Sequence, residues 1–384
     1  MRETIFLLAL ASALAGISLR LVEPMLPQLA VEFGASIPAT SVVITAFYLA
    51  FGGALLVYGP LGDRLGPVRV VTLILIVAAL GSAGCALAQD LKSLTALRFF
   101  TALFSSGPAT LGTVYISNKV PIADRQSVLA RFLVGTIVGQ ALGPLVGGLF
   151  TDLLGWRGTF FCQGLLLAAL SAVMFLRTRS QWALSARPRA GVTPFAEQIR
   201  LLAVPPVRYV VSATLVEAFF FFGAYSFLGA FLKTRFDLSL TLIGAILTGY
   251  GIGGVLYTLV VRRLLRALGQ RGLLAWAGVI CCTCFAVMAL APLWGLAIPC
   301  SVGLGFSFYM VHNTLQVKAT EMSPHARGAG VSLFSTAWFL GQALGVAAMG
   351  ILIRFLDYAV PMIGFGITFL LLSLWLRANL YRFS

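Results

Sequence analysis

The sequence predicts an all-α integral membrane protein of twelve transmembrane helices, arranged as two pseudo-symmetric six-helix bundles. Three observations predict it. Apolar residues make up 59% of the 384-residue chain and charged residues only 10%, whereas a soluble domain carries about a quarter charged. Apolar runs of roughly the 20 residues that a bilayer-crossing helix needs recur twelve times. The longest polar stretch, containing Arg, Pro, Ser and Gln, follows the sixth run and divides the chain into 1–176 and 207–384, with a linker over 177–206.

Span 1 (4–31) starts with a hardly basic segment, Arg2 beside Glu3, and its apolar run continues past Ala9-Leu10-Ala11-Ser12-Ala13. A retained helix is therefore expected rather than a cleaved signal peptide. Spans 2 (40–58) and 3 (70–88) are joined by Gly59-Pro60-Leu61-Gly62-Asp63-Arg64-Leu65-Gly66. There the glycines allow a tight turn, and Asp63 can cap a helix or pair with a neighbouring Arg such as Arg64. Span 4 (94–117) carries Arg98. Span 5 (128–151) holds Gly139-Gln140-Ala141-Leu142-Gly143-Pro144-Leu145-Val146-Gly147-Gly148. Gly139, Gly143 and Gly147, four residues apart, make a groove where another helix can approach closely. Pro144 removes a backbone donor and is expected to bend the helix. Span 6 (158–176) follows Trp156-Arg157.

Span 7 (207–232) carries Glu217 and the run Phe219 to Phe222. Span 8 (240–261) is glycine-rich at Gly249 to Gly254, which inside an apolar helix reads as close packing rather than a phosphate cradle. Span 9 (273–291) contains Cys281, Cys282 and Cys284, with no His, Asp or Glu nearby to make a metal site, so no metal is expected. Span 10 (294–317) carries His312, and spans 11 (329–352) and 12 (359–376) complete the second half.

Twelve spans put both termini on one side. Of the 27 Lys and Arg, 20 lie near the face that holds the N-terminus and five in the opposite loops, with Arg20 and Arg98 inside spans. By the positive-inside rule both termini are cytoplasmic. This asymmetry accounts for the formal charge of +15 without nucleic-acid binding. The halves look related: a shift of 203 aligns Phe33 with Phe236 and Gly66 with Gly269. A shift of 202 superposes Gly139-Gln140-Ala141-Leu142-Gly143 on Gly341-Gln342-Ala343-Leu344-Gly345. Parallel six-helix repeats with substrate near the midplane are a secondary-transporter design.

The Gly59–Gly66 motif resembles the loop signature of the major facilitator superfamily, although Pro67 and Val68 stand where that family has two basic residues. The second half keeps Gly269 but has Arg266 where the corresponding aspartate would fall. The span-5 pattern GxxxGPxxGG is similar to the antiporter signature of the family's twelve-span drug exporters. Leu94-xxx-Arg98, Pro24-Met25-Leu26-Pro27 and Trp156-Arg157 agree with that branch, with Thr101 and Ala102 departing from its arginine motif. The resemblance implies a major facilitator fold whose spans 1, 4, 7 and 10 line the cavity. It implies Gly59, Asp63, Arg64, Gly66, Gly139, Gly143, Pro144, Gly147 and Gly148 as gating or structural residues.

Charge inside the bilayer costs at least about 2.5–3.5 kcal/mol, so each such group is a functional candidate. Arg20, Glu23 and Pro27 follow Gly16 on one face of span 1. Glu23 lies roughly 10 Å, and Arg98 roughly 8 Å, below the outer ends of their spans. A network of Arg20, Glu23 and Arg98 is expected there, either as part of proton coupling or as an ion cluster tying spans 1 and 4. Glu217 lies about 15 Å into its span, with no basic residue in that span except Arg208 at its inner end. An acid in that position can hold a proton in one access state and release it in the other. His312, about 8 Å from its inner end, reads as a second proton site, a substrate ligand or a histidine satisfied by a backbone carbonyl. Tyr309 and Gln316 share its face and Asn313 flanks it; these three, with Phe221 and Tyr225, are the substrate-wall candidates. The remaining phenylalanines of the run read as packing.

The function expected is a proton-coupled secondary transporter exporting small, largely apolar molecules by alternating access, of the multidrug-efflux type. An exporter of one sugar, amino acid or siderophore class shares the mechanism; an uptake symporter is disfavoured by the span-5 pattern. Without an ATP-binding loop the energy must come from a gradient. The expected partners are a small-molecule substrate, protons and the lipid bilayer, with no cofactor, no nucleic acid and a monomeric state. The expected location is a bacterial-type plasma membrane. No HExxH pattern points to an enzyme.

Overall fold

A computed structural model describes residues 1–182, 200–322 and 327–383, with no strand among them. Most of the 177–206 linker thus lies outside the described residues. What is described of it is the end of a helix at Thr178, short 3-10 turns at Arg179–Gln181 and Leu201–Ala203, and a helix start at Pro205.

Among the described residues nine helical stretches are long and apolar enough to cross a membrane. Two of them, Asp124–Thr178 and Leu240–Leu290, break at single glycines, Gly155 (φ 71°) and Gly269 (φ 63°), and so each contain two spans. With 91–119, helical on both sides of Ser106 but not one of the nine, the described residues make twelve helices: α1 (Arg2–Glu32), α2 (37–65), α3 (Pro67–Ala86), α4 (91–119), α5 (122–154) and α6 (156–178). They continue as α7 (Pro205–Phe236), α8 (240–268), α9 (270–290), α10 (Ala297–Glu321), α11 (Arg327–Phe355) and α12 (Ala359–Ala378).

The α2–α3 connection corrects the expected loop. Helix Val42–Leu65 continues through Gly59 and Gly62, and the whole turn is made at Gly66 (φ 84°), followed by Pro67 at the first position of α3. Positive φ is open to glycine at little steric cost and Pro suits a helix start, so one residue reverses the chain. Pro144 sits in a stretch that keeps helical φ/ψ, the break in that helix being Gly155. In α1 the prolines do interrupt the helix: Arg2–Arg20 ends, Glu23–Met25 forms a 3-10 turn, and Leu26–Glu32 resumes. Asp90 starts α4 with a reciprocal cap, accepting from the Ser93 N–H at 2.7 Å while Ser93 Oγ accepts from the Asp90 N–H.

Small residues set the helix pairs. Gly139 and Gly143 of α5 lie against Ala13 and Ile17 of α1; Gly341 and Gly345 of α11 lie against Leu215 and Phe219 of α7. Each contact is the other displaced by 202 residues, the spacing of the repeated pentapeptide. A Cβ on Gly139, Gly341 or Gly345 would run into a backbone carbonyl, and one on Gly143 into the Arg20 Cβ.

The two halves meet along two antiparallel pairs. On α5 and α8, Gly148 packs on Leu240, Pro144 on Gly244 and Ala141 on Gly251. On α2 and α11, Gly350 packs on Pro38 and Ser41, and Gly52 on Thr336 and Phe339. These contacts run from the end opposite the termini to mid-bundle. The apolar interior has the same asymmetry. One cluster joins residues of α1–α4 and α6 to α7–α12; a second, containing Leu8, Tyr58, Leu75, Ile116, Phe132 and Met174, belongs to α1–α6 alone, on the terminus side. The halves therefore share a core away from the termini and pack separately near them.

Candidate functional site

The prolines that unwind α1 bring Arg20 and Glu23 together. Arg20 Nη1 donates to Glu23 Oε1 at 2.8 Å and to the Tyr48 hydroxyl at 2.7 Å. Its Nη2 donates to Gln342 Oε1 of α11 at 3.1 Å, and the guanidinium lies 4.1 Å over the Phe222 ring of α7. Tyr48 donates on to Glu23 Oε1 at 3.0 Å, and Ser226 Oγ of α7 donates to it at 3.4 Å. Both charged residues are at most 2% exposed. A buried pair needs its remaining donors and acceptors met; α2, α7 and α11 supply partners for Arg20 and for Glu23 Oε1, while Glu23 Oε2 is buried without a protein partner.

Contrary to the sequence expectation, Arg98 does not join this network. Its Nη2 donates to the Ser18 carbonyl at 3.0 Å and its plane lies 3.8 Å over Phe47, while Nε and Nη1 have no protein partner. The break after Arg20 explains the separation: Glu23 is bonded to residues of α2 and α7, leaving Arg98 the carbonyl above the break. Arg98 still ties α4 to α1, but through backbone.

Glu217 also differs from expectation, because it has a titratable partner. Its Oε2 is 3.1 Å from Nδ1 of His312, brought in by α10 and therefore invisible to a search of its own span. The glutamate is fully buried; the imidazole is 11% exposed. The His312 ring stacks on Phe308 (centroids 4.9 Å, planes 19° apart) and touches Phe334 and Trp338 at 5.3 and 5.2 Å. Glu217 Oε1 and Trp338 Nε1 are buried without a protein partner.

The substrate-wall candidates divide. Phe221 is fully buried among the rings of Phe222, Tyr225, Tyr250, Phe285, Phe308 and Phe369. Tyr225, 1% exposed, donates to the Leu247 carbonyl at 2.8 Å. Four and eight residues beyond Glu217, they turn into the packing of α7–α12 and form no wall. Tyr309 is half-buried on Tyr250 and Gly254, Asn313 is half-buried beside Tyr257, and Gln316 is exposed. Phe219 and Phe220 pack on Phe365, as expected of a packing run.

Among the gating candidates, Gly66 is the α2–α3 corner and Arg64 is exposed. The side chain of Asp63 and the surroundings of Gly59 lie outside the described residues. Gly139, Gly143 and Gly147 line the α1 face of α5, whereas Gly148 and Pro144 meet α8. A shallow apolar groove between Val42, Ala46, Leu91, Thr95 and Phe99 opens on the outside of α2 and α4, away from the buried charges.

Sequence reasoning missed Tyr48, Phe222, Ser226, Gln342, Trp338 and Asp152. Asp152 at the end of α5 accepts from the Thr241 N–H and hydroxyl, both at 2.7 Å, and from the Leu240 N–H at 3.3 Å. It thereby caps α8 across the two halves, beside that helix's own Ser239. Gln342 had a signal, an amide within the repeated apolar pentapeptide; Tyr48 had none.

A bundle of this kind, with charges buried between two six-helix halves, defines a multi-pass membrane transporter. A sequence profile described as Major Facilitator Superfamily matches residues 8–346. The chain belongs to that superfamily, a family of transporters and not of enzymes. It is 24% identical over 374 residues to an uncharacterised MFS-type transporter, YceJ, of Bacillus subtilis, covering 94% of this chain and 92% of that one. It is 23% identical over 280 residues to the efflux pump radE of Floropilus chiversii, covering 65% of this chain and 51% of that one. Against several other relatives it spans only 24% to 30% of their length. A crystal structure of a bacterial homologue of the human lysosomal transporter Spinster, in an inward-facing and unoccupied conformation, matches with a TM-score of 0.72. That match has 18% identity and covers 99% of this chain and 96% of that one.

Proposed function

We propose that the chain is a proton-coupled secondary transporter exporting small, largely apolar molecules by alternating access. Its units, 1–176 and 207–384, rock against each other as a monomer in a bacterial-type plasma membrane, with both termini cytoplasmic. The observation that carries this reading is the Glu217–His312 contact, 3.1 Å across α7 and α10. One proton can sit on either partner, with the imidazole edge in partial contact with solvent space and the carboxyl sealed behind it. Glu23 is the poorer carrier, because its partner Arg20 stays protonated and does not release a proton, and protonating Glu23 would break a buried pair. Arg20 and Glu23 are read as a closure between halves, and Arg98 as an anchor of α4 on α1. The span-5 pattern and the likeness to an efflux pump support export, and the aromatic surroundings of His312 suit apolar cargo.

The test is transport in proteoliposomes under an imposed pH gradient, screening lipophilic cations, neutral dyes and sugars. Glu217→Gln is expected to abolish gradient-driven flux while elution and thermal unfolding stay unchanged. Normal gradient-driven flux in that variant removes the pair from the mechanism.

A further inference from the structure

We propose that Cys284 of α9 and Cys300 of α10 are an oxidisable dithiol on the side away from the termini, which hydrogen peroxide converts into a disulfide joining the two helices. Their side chains are hydrogen-bonded to one another. A glycine lets the helices come close enough for this. A Cβ on Gly303 would lie 2.6 Å from Cys284 Sγ, so that sulfur rests against the α10 backbone one turn from Cys300. One turn further inward, the fully buried Cys281 is bonded to Ser307 of α10, which continues the same antiparallel register. By the helical rise, Cys300 lies about 4.5 Å from the outer end of α10 and Cys284 about 9 Å from that of α9. The connection between the two helices, with Leu293 and Leu296 exposed, is at the surface.

Both cysteines are free thiols in this state. Attack on a peroxide oxygen requires a thiolate, which the first turn of a helix accommodates best; Cys300 is in the first turn of α10, whereas Cys284 is well inside α9. Hydrogen peroxide is small and uncharged, and so reaches a residue that is 8% exposed. The Cys300 sulfur takes one peroxide oxygen, the O–O bond breaks, and the second oxygen leaves as water. The sulfenic acid so formed then condenses with the Cys284 thiol, closing the S–S bond and releasing a second water. Two thiols are oxidised and one peroxide is reduced, so no further reactant is needed. The bond fixes the outer end of α10, the helix that carries His312, to a helix of its own half and leaves the contacts between halves free.

The test treats the wild-type protein in proteoliposomes with hydrogen peroxide, alkylates the remaining thiols, and reads the digest by mass spectrometry. A peptide joining positions 284 and 300, two hydrogens lighter than its reduced parts, is expected, and a dithiol reductant should return both thiols. The bond should also raise the midpoint of thermal unfolding, and the reductant should bring it back. Cys284→Ser should lose the linked peptide and leave on Cys300 a sulfenic acid that a cyclic 1,3-diketone traps. Cys300→Ser should lose both the link and the trapped adduct. Oxidation of the exposed Met1 to its sulfoxide shows that the peroxide has acted. Two alkylated thiols at 284 and 300 beside an oxidised Met1, or Cys300 linked to another cysteine, overturn the site. An adduct on Cys284 in Cys300→Ser overturns the assignment of the attacking thiol, and full linkage without a higher midpoint overturns the clamp.

Discussion

Arg20 shows how one side chain makes a buried charge tolerable. Its two terminal nitrogens are divided among Glu23, Tyr48 and Gln342, and its face is covered by Phe222. Removing one partner of such a pair strands the other, at a cost of about 3–5 kcal/mol. Arg20→Ala should therefore lower the thermal stability of the detergent-solubilised protein sharply. Adding Glu23→Gln, which discharges the stranded acid, should restore part of the loss. A double variant no more stable than Arg20→Ala would mean that the pair contributes through packing and not charge. Glu217 and His312 have a different chemistry at similar burial: a carboxyl and an imidazole can each gain and lose a proton, whereas a guanidinium keeps its own.

At the scale of helices, the glycines of α5 serve two surfaces. Gly139 lies on Ala13 of its own half, Gly148 on Leu240 of the other. Overpacking costs about 1–3 kcal/mol, but it acts on different equilibria. Gly139→Val should reduce stability and yield, whereas Gly148→Val should leave the fold and disfavour the present state. That would raise labelling of Ser226→Cys, whose native serine is buried in this state, by a membrane-impermeant maleimide. Equal effects on both readouts would refute the division. Asp152→Ala should raise the same labelling about threefold to fivefold, since a lost helix cap typically costs about 1 kcal/mol. Asp90 offers a contrast. The Ser93 N–H and hydroxyl hold its carboxyl below the usual carboxylate range, so this cap's contribution is present at neutral pH and fades only as the pH falls through that lowered range. A response to pH near neutrality therefore does not come from this cap.

At the scale of the molecule, the shared core lies away from the termini and the separate core of α1–α6 lies near them. On the alternating-access reading proposed above, movement opens one end as it closes the other. Export is expected to stop when a protonophore collapses the pH gradient and to be indifferent to added ATP; flux that survives the protonophore would sink the proton-coupled reading. The sequence alone determined the class and the span order, because bilayer-length apolar runs, basic asymmetry and a repeated pentapeptide are local or periodic properties of the chain. It located the buried charges Arg20, Glu23, Arg98, Glu217 and His312 without joining them correctly. Only the tertiary structure decided that Glu217 faces His312, that Arg20 reaches Gln342 across 322 positions, that Phe221 and Tyr225 point into packing, and that Asp152 caps α8. The reason is physical: partnership in a helix bundle is set by which faces the close glycine contacts turn together, and those faces come from spans far apart in the chain.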